Sequence, residues 1–159
     1  MSRRGRALVA AFVAMVATFI VAACTGGVVY DTYRHTQLSG WDKGDTLFYD
    51  ITPLRQSGRY RQEIGLRVNE SFPFTGLTLV VDKVVEPGHR IMIDTVNCRL
   101  ADSKGNTLVQ GVSYYQYDFI VSEDNLQEGD SLHVGIRHIM KREILPGIAD
   151  VGLRLTRVQ

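Results

Sequence analysis

The chain has little cysteine, with Cys24 and Cys98 the two among 159 residues. At most one disulfide can therefore form. If the Cys24 thiol is acylated, Cys98 stands alone and no intramolecular disulfide forms. If the protein is secreted without acylation, the two thiols could pair in an oxidising compartment.

The chain also has no excess of charge of either sign, with 18 lysines and arginines against 17 aspartates and glutamates. The charges are dispersed along the sequence. No basic patch indicates nucleic-acid binding, and no acidic tail indicates a disordered activator. Electrostatics alone therefore name no partner.

Familiar catalytic and metal-binding motifs are missing: the sequence has no Gly-x-Ser-x-Gly, His-Glu-x-x-His, Walker loop or Cys-x-x-Cys. His133 and His138 lie five residues apart on one predicted strand, so they face opposite sides and cannot chelate one ion together. An enzyme would need His138, Asp118 or Glu143 to converge in one pocket. We predict no enzymatic activity, no cofactor and no metal site.

One long hydrophobic run is present, the uncharged segment Ala7–Ala23. Three arginines precede it, and Val21-Ala22-Ala23 leads directly into Cys24. This order is typical of a signal peptide ending in a bacterial lipobox, which predicts an acylated Cys24 and a location outside the cytoplasm.

Three other interpretations of this run compete. A stretch of about 17 apolar residues reaches the lower limit for an uncleaved membrane-spanning helix. Val21 and Ala23 also suit ordinary secretory cleavage. A buried core helix is disfavoured, because charged residues directly precede the run and the run itself has no amphipathic stripe.

The remainder of the chain suits one domain. We predict a signal peptide over 1–23, an acylated N-terminus and tether over 24–40, and a folded domain over 41–159. Val28 to Tyr33 is an alternative first strand within the tether.

Apolar residues with period two predict strands that bury one face and expose the other, as in antiparallel sheets. Six to eight such strands predict an all-β fold, a single antiparallel β-sandwich of jelly-roll or immunoglobulin-like type. The alternating residues are Leu47, Tyr49 and Ile51; Ile64, Leu66 and Val68; Leu77, Leu79 and Val81; Val96, Cys98 and Leu100; Leu132, Val134 and Ile136; Val151, Leu153 and Leu155.

Turn residues separate these strands at Glu86–His89, Asp102–Asn106 and Glu128–Asp130. We expect the second turn to join the Cys98 strand to a strand over Leu108–Val121 as a hairpin. A helical turn or two is expected near Asp124 or over Met140–Ile144.

An aromatic strand, Tyr114-Tyr115-Gln116-Tyr117-Asp118-Phe119, is the first candidate binding surface. Tyr114 and Gln116 share one face, which is amphipathic enough to bind a sugar or a partner strand. The alternative is an ordinary strand with one face in the core and the other in solvent.

Trp41 is a second candidate, either as a binding platform or as a lid on the core. Arg137, Lys141 and Arg142 are either contact residues or solvated charges. His138 and Cys98 fall on apolar faces, which favours buried core residues over ligands or nucleophiles.

Four blocks, taken together, resemble the gliding-motility lipoprotein GldH family of Bacteroidetes-type bacteria. The blocks are Gly40-Trp41-Asp42-Lys43-Gly44-Asp45-Thr46-Leu47-Phe48; Tyr60 to Val68 with Phe72-Pro73-Phe74; Gly111 to Tyr117; and Gly129 to Gly152.

The resemblance implies a small lipoprotein linked to gliding and to type IX secretion, with acylation at Cys24 and no catalytic residues to carry over. Bacteroidetes lipoproteins bound for the cell surface often carry acidic residues just after the cysteine, and here none occurs before Asp31. We therefore expect a non-enzymatic, outer-membrane accessory protein that faces the periplasm and binds envelope proteins. The alternative is a lipid-anchored glycan-binding module.

Overall fold

A computed structural model describes residues 27–158, and the expected signal peptide and Cys24 lie outside them. Within the described residues the regular structure consists of ten strands, which confirms the all-β prediction. No helix there is long and apolar enough to cross a bilayer. The strands are β1 (Gly27–His35), β2 (Trp41–Asp42), β3 (Leu47–Ile51), β4 (Gly58–Val68), β5 (Gly76–Glu86), β6 (Arg90–Arg99), β7 (Tyr115–Leu126), β8 (Ser131–His138), β9 (Ile144–Leu145) and β10 (Ile148–Arg157).

Eight long strands form two four-stranded antiparallel sheets, ordered β1-β10-β4-β7 (the first sheet) and β3-β8-β5-β6 (the second sheet). Consecutive long strands alternate between the sheets, except for the β5–β6 hairpin. This is jelly-roll topology, so the structure decides between the two predicted sandwich types. The short strands β2 and β9 pair only with each other.

The core lies between the sheets and contains the apolar residues that alternate in the sequence. Ile64, Leu79, Ile136 and Leu153 are among its fully buried members. Buried tyrosines also join elements through their hydroxyls: that of Tyr49 in the second sheet donates to the Val151 carbonyl oxygen in the first, at 2.7 Å.

The predicted hairpin after β6 is wrong. The Asp102 carboxylate accepts bonds from the Lys104 and Asn106 amides at 2.8 and 2.9 Å, so the turn itself forms. An isolated bridge between Ala101 and Thr107 closes the turn, but β7 then pairs with β4 in the other sheet. A tight turn fixes the chain locally but does not select the sheet that the chain enters next.

The sheet begins earlier than the predicted domain boundary at Trp41. Strand β1 occupies Gly27–His35 and pairs with β10 over this whole length, within the segment assigned to the tether. The expected helical turns do not form: Asp124 lies in β7, and residues 141–143 form a bend that leads into β9 at Ile144.

Antiparallel pairing gives the sandwich two distinct ends. The proximal end holds the start of β1, the end of β10 and the connections 52–57, 87–89 and 127–130. The distal end holds the β2–β9 ribbon and the connections 36–40, 69–75 and 100–114.

Lys83 is a fully buried lysine that joins the two sheets on the β6–β7 side. It lies on β5, and its Nζ contacts Asp124 Oδ2 on β7 at 2.6 Å, Ser122 Oγ at 2.7 Å and Asp94 Oδ2 on β6 at 3.1 Å. Two carboxylates and a hydroxyl thus compensate the buried ammonium group.

We predict that Lys83→Ala lowers the free energy of unfolding by about 3–5 kcal/mol, because it leaves two partly buried carboxylates without their cation. The matched control is Lys104→Ala in the exposed 102–106 turn, expected to change stability by less than about 0.5 kcal/mol. Urea denaturation of both variants measures the difference. Equal stabilities would show that the buried cluster does not hold the sheets together.

Candidate functional site

The Tyr33 ring lies flat on the outer face of the first sheet and crosses two neighbouring strands. Tyr33 stands opposite Gly152 on β10, which in turn stands opposite Gly65 on β4. A Cβ atom at Gly152 would come within 2.6 Å of the ring, and one at Gly65 within 2.1 Å of its hydroxyl oxygen. Glycine is required at both positions because the ring occupies the space of a side chain.

Polar and charged groups surround this ring. Gln116 Nε2 on β7 donates to the Tyr33 hydroxyl at 3.2 Å, and the Arg67 guanidinium lies 4.2 Å from the ring centroid. Burial raises the pKa of Tyr33, and the nearby Asp118 carboxylate raises it further, so the phenol stays protonated and able to donate. The ring is thus held from three strands.

Asp150 continues the network towards the distal end. Its carboxylate is buried, contacts Arg67 Nη1 at 3.6 Å and pairs with the exposed His35 ring. A cationic guanidinium and a carboxylate are thereby fixed beside the aromatic ring.

An open cavity of about 650 Å³, here called the distal cavity, adjoins this network. Its walls combine an exposed aromatic ring, amides, a guanidinium and a carboxylate. The lining residues are His35, Thr36, Gln37, Leu38, Arg67, Asn69, Tyr114, Gln116, Gly147, Ile148, Ala149 and Asp150.

The structure brings together two of the six predicted surface residues. Tyr114 and Gln116 both line the distal cavity, and Tyr114 is 54% exposed. Lys141 and Arg142 are exposed in the connection between β8 and β9, towards the same end but outside the cavity lining. Arg137 lies on the outer face of the second sheet, where it pairs with Asp82 at 3.5 Å.

Trp41 is not a binding platform in this structure, because none of its surface is exposed. Its Nε1 donates to the Asp45 carbonyl oxygen at 2.9 Å, and its ring packs edge-on against His138 at 5.2 Å. The β2–β9 ribbon and the distal connections enclose Trp41 in the core, which agrees with its interpretation as a lid on the core.

His138 and Cys98 are buried, as predicted. Burial raises the pKa of the Cys98 thiol to about 12, which keeps it in the neutral form. His138 is buried while His133 is exposed, so the two rings lie on opposite faces of β8. Among residues 27–158, no group of three or more histidine, cysteine or acidic side chains is placed to hold a metal ion.

Tyr33, Arg67 and Asp150 belong to this site but were not predicted as site residues from the sequence. A signal for them exists in the glycines Gly65 and Gly152, which interrupt otherwise well-formed strands. Glycine within a strand often marks a close approach by another group. Nothing in the pattern identifies Tyr33 as that group.

The burial of His138 predicts that the stability of the protein depends on pH. Burial lowers its pKa below the ordinary 6.5, so near that pH the folded protein binds fewer protons here than the unfolded chain. We predict that the contribution of His138 to stability is complete above pH 6.5 and decreases as the pH falls below it. His138→Gln should flatten the measured pH dependence of the free energy of unfolding between pH 7 and 5. An unchanged slope in His138→Gln would contradict this.

Two of the solved structures to which this fold is similar are carbohydrate-binding modules, both at low sequence identity. A carbohydrate-binding module described for mannan recognition has a TM-score of 0.48 and 13% identity, over 80% of this chain and 73% of that chain. A family 35 carbohydrate-binding module from Clostridium thermocellum has a TM-score of 0.40 and 10% identity, over 84% of this chain and 98% of that chain. At these TM-scores and identities we infer neither a ligand nor a binding site of this chain from the two modules.

Sequence comparison is more informative. Gliding motility lipoprotein GldH of Flavobacterium johnsoniae is 24% identical over 148 residues, which cover 89% of this chain and 92% of the relative. The family model described as GldH lipoprotein matches residues 28–155, which include every long strand almost in full. The chain belongs to the GldH lipoprotein family.

Proposed function

We propose that this protein is a non-enzymatic accessory lipoprotein of the cell envelope, anchored through Cys24 and acting through protein contacts at its distal cavity. Membership of the GldH lipoprotein family and the lipobox-like sequence support the anchor. The named relative is a gliding motility lipoprotein, and we infer a motility or secretion component as the partner class.

The observation that most strongly supports this proposal is the preformed surface around Tyr33. Its aromatic ring, guanidinium and amide groups are held by contacts across the first sheet, so little side-chain freedom remains to be lost on binding. Tyrosine and arginine are enriched in the centres of protein interfaces. The exposed Leu38 and Tyr114 add apolar area beside them.

The placement of acid–base groups supports binding over catalysis. His138 is enclosed between the sheets, whereas Asp118 is exposed on the outer face of the first sheet. The carboxylate nearest the distal cavity, that of Asp150, is already engaged by Arg67. General acid–base catalysis requires such groups within reach of one substrate.

We propose that the protein is an outer-membrane lipoprotein facing the periplasm. The support is the sequence after Cys24, Thr25-Gly26-Gly27-Val28, which lacks the acidic residues that Bacteroidetes lipoproteins bound for the cell surface often carry there.

Glycan binding is the second candidate, and Tyr114 is the observation that favours it. An exposed tyrosine beside an amide can stack on a sugar ring and donate to its hydroxyls. The burial of Trp41 removes the other aromatic residue on which this alternative depended.

The test places a photoactivatable benzoyl-phenylalanine at Tyr114 in the acylated protein in native envelopes. Phe48 is the matched control site, because it is an aromatic residue of similar exposure (50% against 54%) on the outer face of the opposite sheet. We expect an adduct with an envelope protein at Tyr114 and none at Phe48. Tyr114→Ala should also reduce co-purified partner about fivefold or more, as loss of about 1 kcal/mol at an interface implies.

Adducts of equal yield at both sites would contradict the proposed contact surface. A glycan array probed with the soluble domain separates the second candidate. Sugar binding that Tyr114→Ala abolishes, with no protein adduct at Tyr114, would replace the proposed function with glycan recognition.

A further inference from the structure

Very little chain separates the lipid anchor from the folded sheet. Strand β1 begins at Gly27, three residues after Cys24, and Gly27 is paired with Arg157 on β10. Three residues span at most about 10 Å even when fully extended. Acylation at Cys24 therefore holds the proximal end of the sandwich within that distance of the membrane.

The surface nearest to the anchor is apolar and basic. Val28 and Val29 of β1 are 58% and 47% exposed. Arg157 donates from Nε and Nη2 to the Ser57 carbonyl oxygen at 3.2 and 3.0 Å, which attaches the connection 52–57 to the end of β10. This connection carries the exposed Arg55.

A cavity of about 440 Å³, here called the proximal cavity, opens at this corner. Apolar side chains, two uncharged polar side chains and two arginines line it, and none of the lining residues within 27–158 is acidic. The lining residues are Val29, Ile51, Thr52, Pro53, Leu54, Arg55, Gln56, Tyr60 and Arg157. Guanidinium groups above apolar walls match the phosphate and the upper acyl region of a phospholipid.

Two acidic residues at this end are engaged by arginines that do not line the proximal cavity, while Glu128 is exposed in the connection 127–130. Asp130 pairs with Arg90 at 2.9 Å, and Glu123 pairs with Arg61 at 2.8 Å. Arg55 is exposed beside the cavity, and near a surface of anionic lipids an arginine contributes about 1 kcal/mol.

We propose that the proximal end rests on the head groups of the bilayer that holds Cys24, with Arg55 facing lipid phosphates. This inference rests on the acylation in the proposed function and adds an orientation to it. The nine residues of β1, at about 3.3 Å each, then hold the distal cavity roughly 30 Å from the lipid surface, where a partner can approach it.

The test uses the acylated, full-length protein with Cys98→Ala, which removes the remaining free thiol. A fluorophore is attached at Gln56→Cys in the proximal connection or at Lys104→Cys at the distal end. The proteins are reconstituted into vesicles of phosphatidylethanolamine and phosphatidylglycerol that contain a lipid with a nitroxide quencher on its head group. We expect loss of fluorescence at Gln56→Cys and none at Lys104→Cys.

Charge reversal tests the arginine contact in the same vesicles. Arg55→Glu should reduce the quenching at Gln56→Cys, whereas Arg142→Glu at the distal end should leave it unchanged. In vesicles of phosphatidylcholine alone the effect of Arg55→Glu should be smaller, since the surface carries no net charge.

Flotation and intact mass measurement distinguish a failure of the proposed lipid anchor from a failure of the proposed orientation. Protein that is not acylated and does not float with vesicles overturns the anchor in the proposed function, and the orientation with it. Acylated protein that floats but shows equal quenching at both sites, or stronger quenching at Lys104→Cys, overturns the orientation alone.

Discussion

The pairing of β1 with β10 is the constraint on which the arrangement of the molecule depends. It places the first described residue, Gly27, at one end of the first sheet and His35 at the other. Tyr33 reinforces the pairing from the outer face, where its ring fills the space left by Gly152 and Gly65 and its hydroxyl reaches Gln116 on β7. An edge strand that would otherwise depend on one ladder of backbone bonds is thus fixed by side-chain contacts across the whole sheet.

The two ends of the jelly roll that this pairing defines expose different kinds of side chain. The proximal end presents the exposed Arg55 beside apolar walls, which suits a lipid surface. The distal end presents an aromatic ring and amides beside an arginine already paired with Asp150, which suits a protein surface. We propose that the short link to the membrane and the rigid sandwich together hold the distal cavity at a fixed distance from the lipid surface.

The sequence predicts the strands well because burial on one face imposes period two, and Leu47, Ile64 and Leu153 all lie in the core. It fails where contacts between distant segments decide the outcome. The turn at Asp102 is chemically a good hairpin turn, yet sheet pairing elsewhere sends the chain across the sandwich. Lys83 is charged and still fully buried, because Asp94 and Asp124 come from strands that only the fold brings near it.

Hydrogen–deuterium exchange on the mature domain tests whether the folded sheet begins at Gly27. We expect peptides covering residues 28–35 to contain amides protected to a similar degree as their partners in β10, while peptides covering 102–106 exchange rapidly. Rapid exchange throughout 28–35 would show that β1 is not part of the folded sheet. It would return this segment to the role of a flexible tether, and neither the orientation on the membrane nor the fixed height of the distal cavity would follow.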